Sequence, residues 1–285
     1  MKFSIFPRFG AQNSKPVFAA FEQGAKKLGH EVVEHDMTAD VMVIWSVLWH
    51  GRMEQNKKIW DEAKKLKKPI IVLEIGCLRR GETWKVVLNG VNSRGFFGVE
   101  KDLIPNRAKK LGLELTPWTM NGYNILICGQ HTKSEQWASM PPPVEWLKST
   151  IDSIKQHTDK PIVFRPHPRD WHWAANFKYR DVSIKMPKQV AGTYDDFDFD
   201  QDLLNAWAVV NSSSNTGVQS IIKGVPAFVT MDSLAASVAN IDFSYLNNPV
   251  RPRREEWLDW LSHSEWTVEE IAEGTPIYRI FKSKI

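Results

Sequence analysis

Ile162-Val163-Phe164-Arg165-Pro166-His167-Pro168-Arg169 reads as a buried apolar strand that leaves its sheet through a turn stiffened by two prolines. Proline locks its own φ and pushes the preceding residue toward extended backbone, so the exit is rigid. It projects Arg165, His167 and Arg169 from the strand's carboxyl end, which is where open parallel sheets bind ligands. Guanidinium forks match phosphate oxygens, and an imidazole between them adds a donor. A proline-rich turn with solvated arginines is the plainer alternative.

A second stretch supports the anion reading. Val209-Val210-Asn211 runs into Ser212-Ser213-Ser214-Asn215-Thr216-Gly217, then into a helix read over 218–223, with Gly224 and Pro226 ending it. Strand, hydroxyl-rich turn and helix start together make an anion site, because backbone N–H groups and the helix dipole point the same way. One serine suffices for an ordinary N-cap, and six consecutive small polar residues exceed that need. Gly217 allows close backbone approach. Upstream, Tyr123–Cys128 reads as a strand running into Gly129-Gln130, Pro141–Pro143 opens a helix through Val144–His157, and a further strand is expected over Val225–Thr230.

The His-Pro turn and the Ser-rich turn together resemble the nucleotide-binding half of GT-B glycosyltransferases, in particular the capsule-polysaccharide and polysialyltransferase group. The resemblance covers about residues 123–232 and is weak over the N-terminal half. It implies an α/β chain of two Rossmann-like domains facing a cleft, with a C-terminal helix packing back. It places His167 and Pro168 on the first of two motifs that grip the phosphates of an activated donor, and Ser212, Ser213, Ser214 and Thr216 on the second; with Gln130, Arg165, Arg169, Asn215 and Gly217 these are the expected donor contacts, and a UDP-sugar is the expected donor. No metal or other cofactor is expected, the nucleotide sugar being a co-substrate.

Outward from there, the N-terminal half alternates strands (2–7, 31–35, 41–48, 69–75) with amphipathic helices (16–28, 57–66), the rhythm of an open α/β domain. Residues 77–118 break it with scattered glycines and little periodicity, and read as a functional loop plus a linker. The expected domains are 1–118, binding acceptor, and 119–285, binding nucleotide sugar and carrying a helical tail over 254–281. Glu74, near the end of the all-apolar strand Ile70–Leu73, is the expected general base and, with His167, the expected catalytic pair. Pairing with Arg79 or Arg80 is its alternative role, and Asp36 and His50 are runners-up as base. Arg79, Arg80, Asn89, Asn92 and Arg94 in the irregular region are expected to touch acceptor, or else simply to face solvent.

Other signals fail. Asp195-Asp196-Phe197-Asp198-Phe199-Asp200 contains Asp-x-Asp, but a calcium loop opened by Asp196 would meet Gln201 where glycine is needed and Trp207 where glutamate is needed. A surface loop, with Asp200 or Asp202 capping a following helix, is expected instead. Phe96 and Phe97 stand where a Walker A motif needs Lys and Ser/Thr. Trp171, His172 and Trp173 read as core packing, or as a stacking platform for a base or acceptor.

The 285 residues are 42% hydrophobic and 25% charged, with 37 Lys+Arg against 33 Asp+Glu and a net charge of +4. That composition excludes a disordered or collagen-like chain and permits a polyanionic partner without demanding one. Cys77 and Cys128 are the only cysteines, which argues against a disulfide scaffold and fits a reducing cytoplasm, that of the host if the chain is phage-encoded. No signal peptide and no membrane insertion are expected. The economy of the chain, its basic balance and its Arg/Trp loops favour hydroxymethylated pyrimidines in phage DNA as acceptor. A surface or capsule-type glycan, and a sugar-nucleotide epimerase of the same fold, are the alternatives.

Overall fold

A computed structural model describes residues 1–99, 103–193 and 196–282. In chain order the first elements are β1 (Lys2–Ile5), α1 (Lys15–Lys27), β2 (Glu31–Glu34), β3 (Val41–Trp45), α2 (Glu54–Lys65), β4 (Ile70–Ile75), β5 (Trp84–Leu88), α3 (Arg107–Lys110) and β6 (Asn124–Cys128). There follow α4 (Pro143–Lys155), β7 (Ile162–Arg165), β8 (Val182–Ile184), α5 (Phe199–Leu203), β9 (Ala206–Val210), α6 (Asn215–Ile222) and β10 (Ala227–Phe228). The tail holds α7 (Glu255–Leu261), β11 (Glu265–Trp266), α8 (Val268–Ala272) and α9 (Thr275–Phe281). Two compact units result: Met1–Leu113 with Lys133–Glu135 and Leu258–Ile285, and Glu114–Thr132 with Gln136–Trp257.

The first unit is built on a six-stranded sheet of order β11-β5-β4-β3-β1-β2, parallel from β2 to β4. Its central strands are apolar without alternation because both faces are covered. Phe3, Val41, Val43, Ile71 and Leu73 pack with Val17, Phe18 and Phe21 of α1. Met42, Ile44, Ile70 and Val72 pack on the other face with Ile59, Trp60 and Ala63 of α2.

Two expectations for this half are corrected. The stretch 77–118 is not all loop: β5 is buried throughout and runs antiparallel to β4. Lys85 interrupts its apolar run and glycines flank it, which hid it from pattern reading. The tail assigned to the second domain belongs largely to the first unit. There β11 pairs antiparallel with β5, and Trp266, Ile271, Ile277, Ile280 and Phe281 join the core around Phe3 and Phe21. Arg107 seals the junction, stacked 4.3 Å over the Trp266 ring and bonded to Glu270 at 2.6 Å.

The second unit is a five-stranded sheet of order β10-β9-β6-β7-β8, parallel throughout. From β6 the chain moves through α4 to β7 and β8, then crosses back to lay β9 and β10 on the other side. The strand order therefore reverses between β6 and β9. β8 escaped sequence reading because it is short and half-exposed, β10 is only two residues long, and α6 starts at Asn215 rather than Val218.

His263 lies buried in the first unit. Its Nε2 accepts the Ile104 N–H at 2.7 Å and its Nδ1 lies 2.8 Å from the Asp259 carbonyl, so a neutral ring protonated on Nδ1 satisfies both. Burial, reinforced by Arg279 and Arg107, pulls its pKa down to about 4. An unfolded histidine titrates near ~6.5, so between those values the unfolded chain holds a proton that the folded one refuses. Stability is therefore full above that unfolded value and falls as pH drops toward the folded one, by about 3 kcal/mol in all. Urea denaturation across this window should show the loss, and His263→Gln should flatten it.

Candidate functional site

At the carboxyl edge of the second sheet, β6 lies between β9 and β7, so the turn after β6 is flanked by the Ser-rich and His-Pro turns. Both are tied to it. Gln130 Oε1 accepts from the Ser213 N–H at 3.2 Å and from its hydroxyl at 3.4 Å. The His131 ring packs edge-to-face on His167 with centroids 5.1 Å apart. Gly129 donates its N–H to Arg165 O at 2.8 Å, and a Cβ there would sit 3.1 Å from His167 N. Gln130 is 5% exposed, and because its oxygen is fixed toward Ser213, its Nε2 is a buried donor with no partner. A buried N–H in that state costs free energy that an incoming acceptor oxygen would relieve.

The Ser-rich turn is held from beneath by Asn211. Its Nδ2 donates to Ser214 O (2.8 Å), Ser214 Oγ (2.9 Å) and Thr216 Oγ1 (3.2 Å). Ser214 occupies the N-cap of α6 with extended backbone, yet its hydroxyl makes no capping bond and instead meets Thr216 Oγ1 at 2.6 Å. The first turn of α6 therefore lacks the side-chain oxygen that usually neutralises it. Ser212 and Ser213 are buried, while Asn215 and Thr216 are half-buried. Gly217 does permit a close approach, but to Asn211 and Val229: an added Cβ would lie 2.8 Å from Asn211 Oδ1 and 3.0 Å from Val229 Cγ1. Below the turn, burial pushes the Cys128 thiol up to about 12, so it stays protonated.

His167 accepts the Arg169 N–H on Nδ1 at 3.2 Å. In the neutral ring the proton therefore sits on Nε2. Arg169 is exposed beside it. Arg165 corrects the sequence reading. It is 4% exposed, and its Nη1 bonds Asp198 at 2.9 Å and pairs with Asp202, which ties the side chain to the interior. The Asp-x-Asp segment is consumed in the same way, since Asp198 also accepts the Lys188 N–H and Asp200 pairs with Lys223 at 2.8 Å. Asp202 lies within α5 rather than capping it, and Asp195 falls outside the described residues. Among the described residues no group of three side chains is arranged to hold a metal. Trp173 packs on Phe164 at 5.5 Å, whereas Trp171 is partly exposed and stacks on His172 at 4.2 Å.

In the first unit, Glu74 ends β4 and accepts the Ser46 hydroxyl at 2.5 Å and the Ile75 N–H at 2.9 Å. Burial raises its pKa, opposed by those two bonds and by Lys85 and Arg80. Ser46 is buried with φ 62°, a conformation in which a serine is strained. Arg79 is bound to Glu82 at 2.6 Å and to Leu111 O at 3.1 Å. Asn89, with φ 61°, closes the β4–β5 pair by accepting the Ile70 N–H at 2.9 Å. Asn92 is buried and accepts the Arg94 N–H at 3.2 Å. Thus Asn89 and Asn92 shape the hairpin, and Arg80 and Arg94 are exposed. Asp36 is bound to Lys2 at 2.8 Å and held below the usual carboxylate range, which unsuits it as a base. His50 is exposed beside Lys133.

Sequence reading missed His131, Asp170, Asn211 and Ser46. Each carried a usable signal: His131 follows Gly-Gln directly, Asn211 ends a strand, and Ser46 interrupts the apolar run of β3. Asp170 is recognisable only once the turns are brought together. If Arg165 serves the fold alone, Arg165→Met strands two carboxylates and should lower unfolding stability by about 3 kcal/mol in denaturant titrations. A stable variant with merely weakened ligand binding would return Arg165 to the site.

No protein-family model and no curated sequence matches the chain. Among solved structures it is similar to two of KpsC from Thermosulfurimonas dismutans. One is the beta Kdo 2,4 transferase (TM-score 0.56, 14% identity, covering 93% of this chain and 90% of that one). The other is the beta Kdo 2,7 transferase (TM-score 0.51, 14% identity, 97% and 99%). At that identity the likeness concerns architecture, and the chain has the two-domain α/β fold of these GT-B transferases.

Proposed function

We propose that the chain is a nucleotide-sugar-dependent glycosyltransferase that binds its donor's phosphate at the carboxyl edge of the second sheet and needs no metal. The observation that carries this is the convergence of Gln130 Nε2, His167 and the uncapped start of α6 at the point where strand order reverses. Negative charge builds on the leaving phosphate in the transition state, and fixed N–H donors there lower the barrier without reorganising. Glu74 is the proposed base for the acceptor hydroxyl. Its raised pKa makes it a better proton acceptor than an ordinary carboxylate.

For the acceptor we favour a capsule-type glycan. The structures of like fold are named as Kdo transferases, whereas hydroxymethylated DNA rests on a net charge of +4, on Arg/Trp loops and on chain economy. The nucleotide is open among UDP-, CMP- and GDP-sugars. A thermal-shift panel of these donors tests the reading directly, since a ligand that binds only the folded state raises Tm. Mass spectrometry with glycan and hydroxymethylcytosine-DNA acceptors then separates transfer from donor conversion without acceptor, which would indicate an epimerase. Binding to DNA, if it occurs, should weaken steeply with salt.

His167→Ala should lower kcat/KM about 100-fold with the fold intact, and unchanged turnover would end the leaving-group role. Ser46→Ala removes a bond that favours ionised Glu74. The Glu74 pKa should therefore climb further, and the acid limb of the kcat/KM profile should move to higher pH. An unmoved limb would separate Glu74 from the chemistry.

A further inference from the structure

We propose that Asn56 is a positioning residue, holding the Trp45–Ser46 peptide so that the Ser46 hydroxyl meets Glu74; the catalytic consequence rests on the reading of Glu74 as base. Successive carbonyls of a strand turn to opposite sides. Val43 O faces β1 and accepts the Phe6 N–H at 3.1 Å. Trp45 O, two residues on, faces the same side, where the chain after β1 has already left the sheet in the tight turn Pro7–Phe9. Asn56, fully buried in the first turn of α2, supplies a donor there. Its Nδ2 bonds Trp45 O at 2.6 Å and Phe9 O at 3.3 Å.

The same peptide unit is gripped from its other side, since the Ser46 N–H donates to Leu73 O at 2.7 Å. With that plane fixed, Ser46 is kept at φ 62°, a conformation a serine holds only when its surroundings enforce it. Its hydroxyl then reaches Glu74 Oε2 at 2.5 Å and accepts the Leu48 N–H at 3.1 Å. Releasing Trp45 O frees the plane to rotate, and Ser46 can relax toward extended backbone with its hydroxyl drawn off Glu74. The tie has a cost, because Asn56 Oδ1 is a buried acceptor without a partner. Leucine has nearly the same shape and no such atom, so packing alone would favour it. The use of the amide therefore lies in its N–H groups. Among the described residues, Lys85, opposite Glu74 in the β4–β5 register, and Arg80 in the following loop are the charged groups that bear on the carboxylate.

Titration of the Glu74 carboxyl by 13C NMR in the full chain, with Tm and steady-state kinetics alongside, tests the assignment; Lys85 and Arg80 are kept in every variant. The Ser46 bond favours ionised Glu74, so its loss raises the pKa of that carboxyl. Asn56→Leu should move the Glu74 titration to higher pH, the direction expected of Ser46→Ala. In the double variant the shift should equal that of Ser46→Ala alone, because Asn56 acts through that hydroxyl. Turnover of Asn56→Leu should fall about 10- to 100-fold with donor KM nearly unchanged. An unmoved Glu74 titration, or a shift that adds to that of Ser46→Ala, would overturn the assignment. Asn56→Ser, whose single hydroxyl hydrogen can serve only one carbonyl, repeats the test if leucine is not accommodated. Loss of folding in both variants would make Asn56 a residue of the fold alone and end the proposal. If the titrations follow the expected pattern while the unaltered protein transfers no sugar, positioning stands and the transferase reading fails.

Discussion

The order of the second sheet is the constraint on which the functional geometry depends. With β6 between β9 and β7, three strand ends lie side by side, and the turn after β6 can bond both neighbours at once. Gln130 reaches one way to Ser213 and His131 the other way to His167. Gly129 keeps the middle turn narrow enough for this. Parallel pairing fixes which ends are adjacent, and the crossing from β8 back to β9 opens the edge between β6 and β9. Neither motif alone would make a site.

The electrostatics of that edge differ from those of an arginine clamp. Arg165, the most obvious phosphate ligand, is neutralised in the interior by Asp198 and Asp202, and Lys185 also pairs with Asp202. Beside the turn lie oriented dipoles, the Gln130 amide N–H and the first turn of a helix. Such groups are held by the fold before a ligand arrives, so little ordering cost falls at the moment of charge development. A buried network of this kind also requires its supports to be fully bonded. Asn211 meets that demand on one side only: its two amide hydrogens are shared among Ser214 O, Ser214 Oγ and Thr216 Oγ1, while its Oδ1 is buried without a partner.

Much of this was legible in the sequence, and the omissions have physical causes. Continuous apolar runs marked β3, β4, β6 and β7 because both faces of a parallel sheet are covered. β5 and β11 were not legible. β5 carries a buried lysine that mimics surface alternation, and β11 is a two-residue strand whose partner lies far away in sequence. The same long-range pairing explains why the tail was assigned to the wrong unit. Within the site, residue types on turns were readable, but side-chain direction was not. Whether Arg165 points to ligand or to Asp202 depends on α5, which no local pattern places.

Local departures from the rules of a stable fold are informative when they coincide with a strand's carboxyl end. Buried polar atoms without partners occur elsewhere, as on Arg107, but there the guanidinium spreads over Trp266 and serves packing. Gln130 Nε2 has no such explanation, and it lies where the strand order reverses. Likewise Lys67 and Asn89 take left-handed backbone at exposed turns, whereas Ser46 does so while buried, with its hydroxyl on a carboxylate of raised pKa. Strain and unmet hydrogen bonding lower stability and persist only where the surroundings enforce them. In each unit the departure falls beside the residue assigned a chemical role on other grounds, Glu74 in the first and His167 in the second.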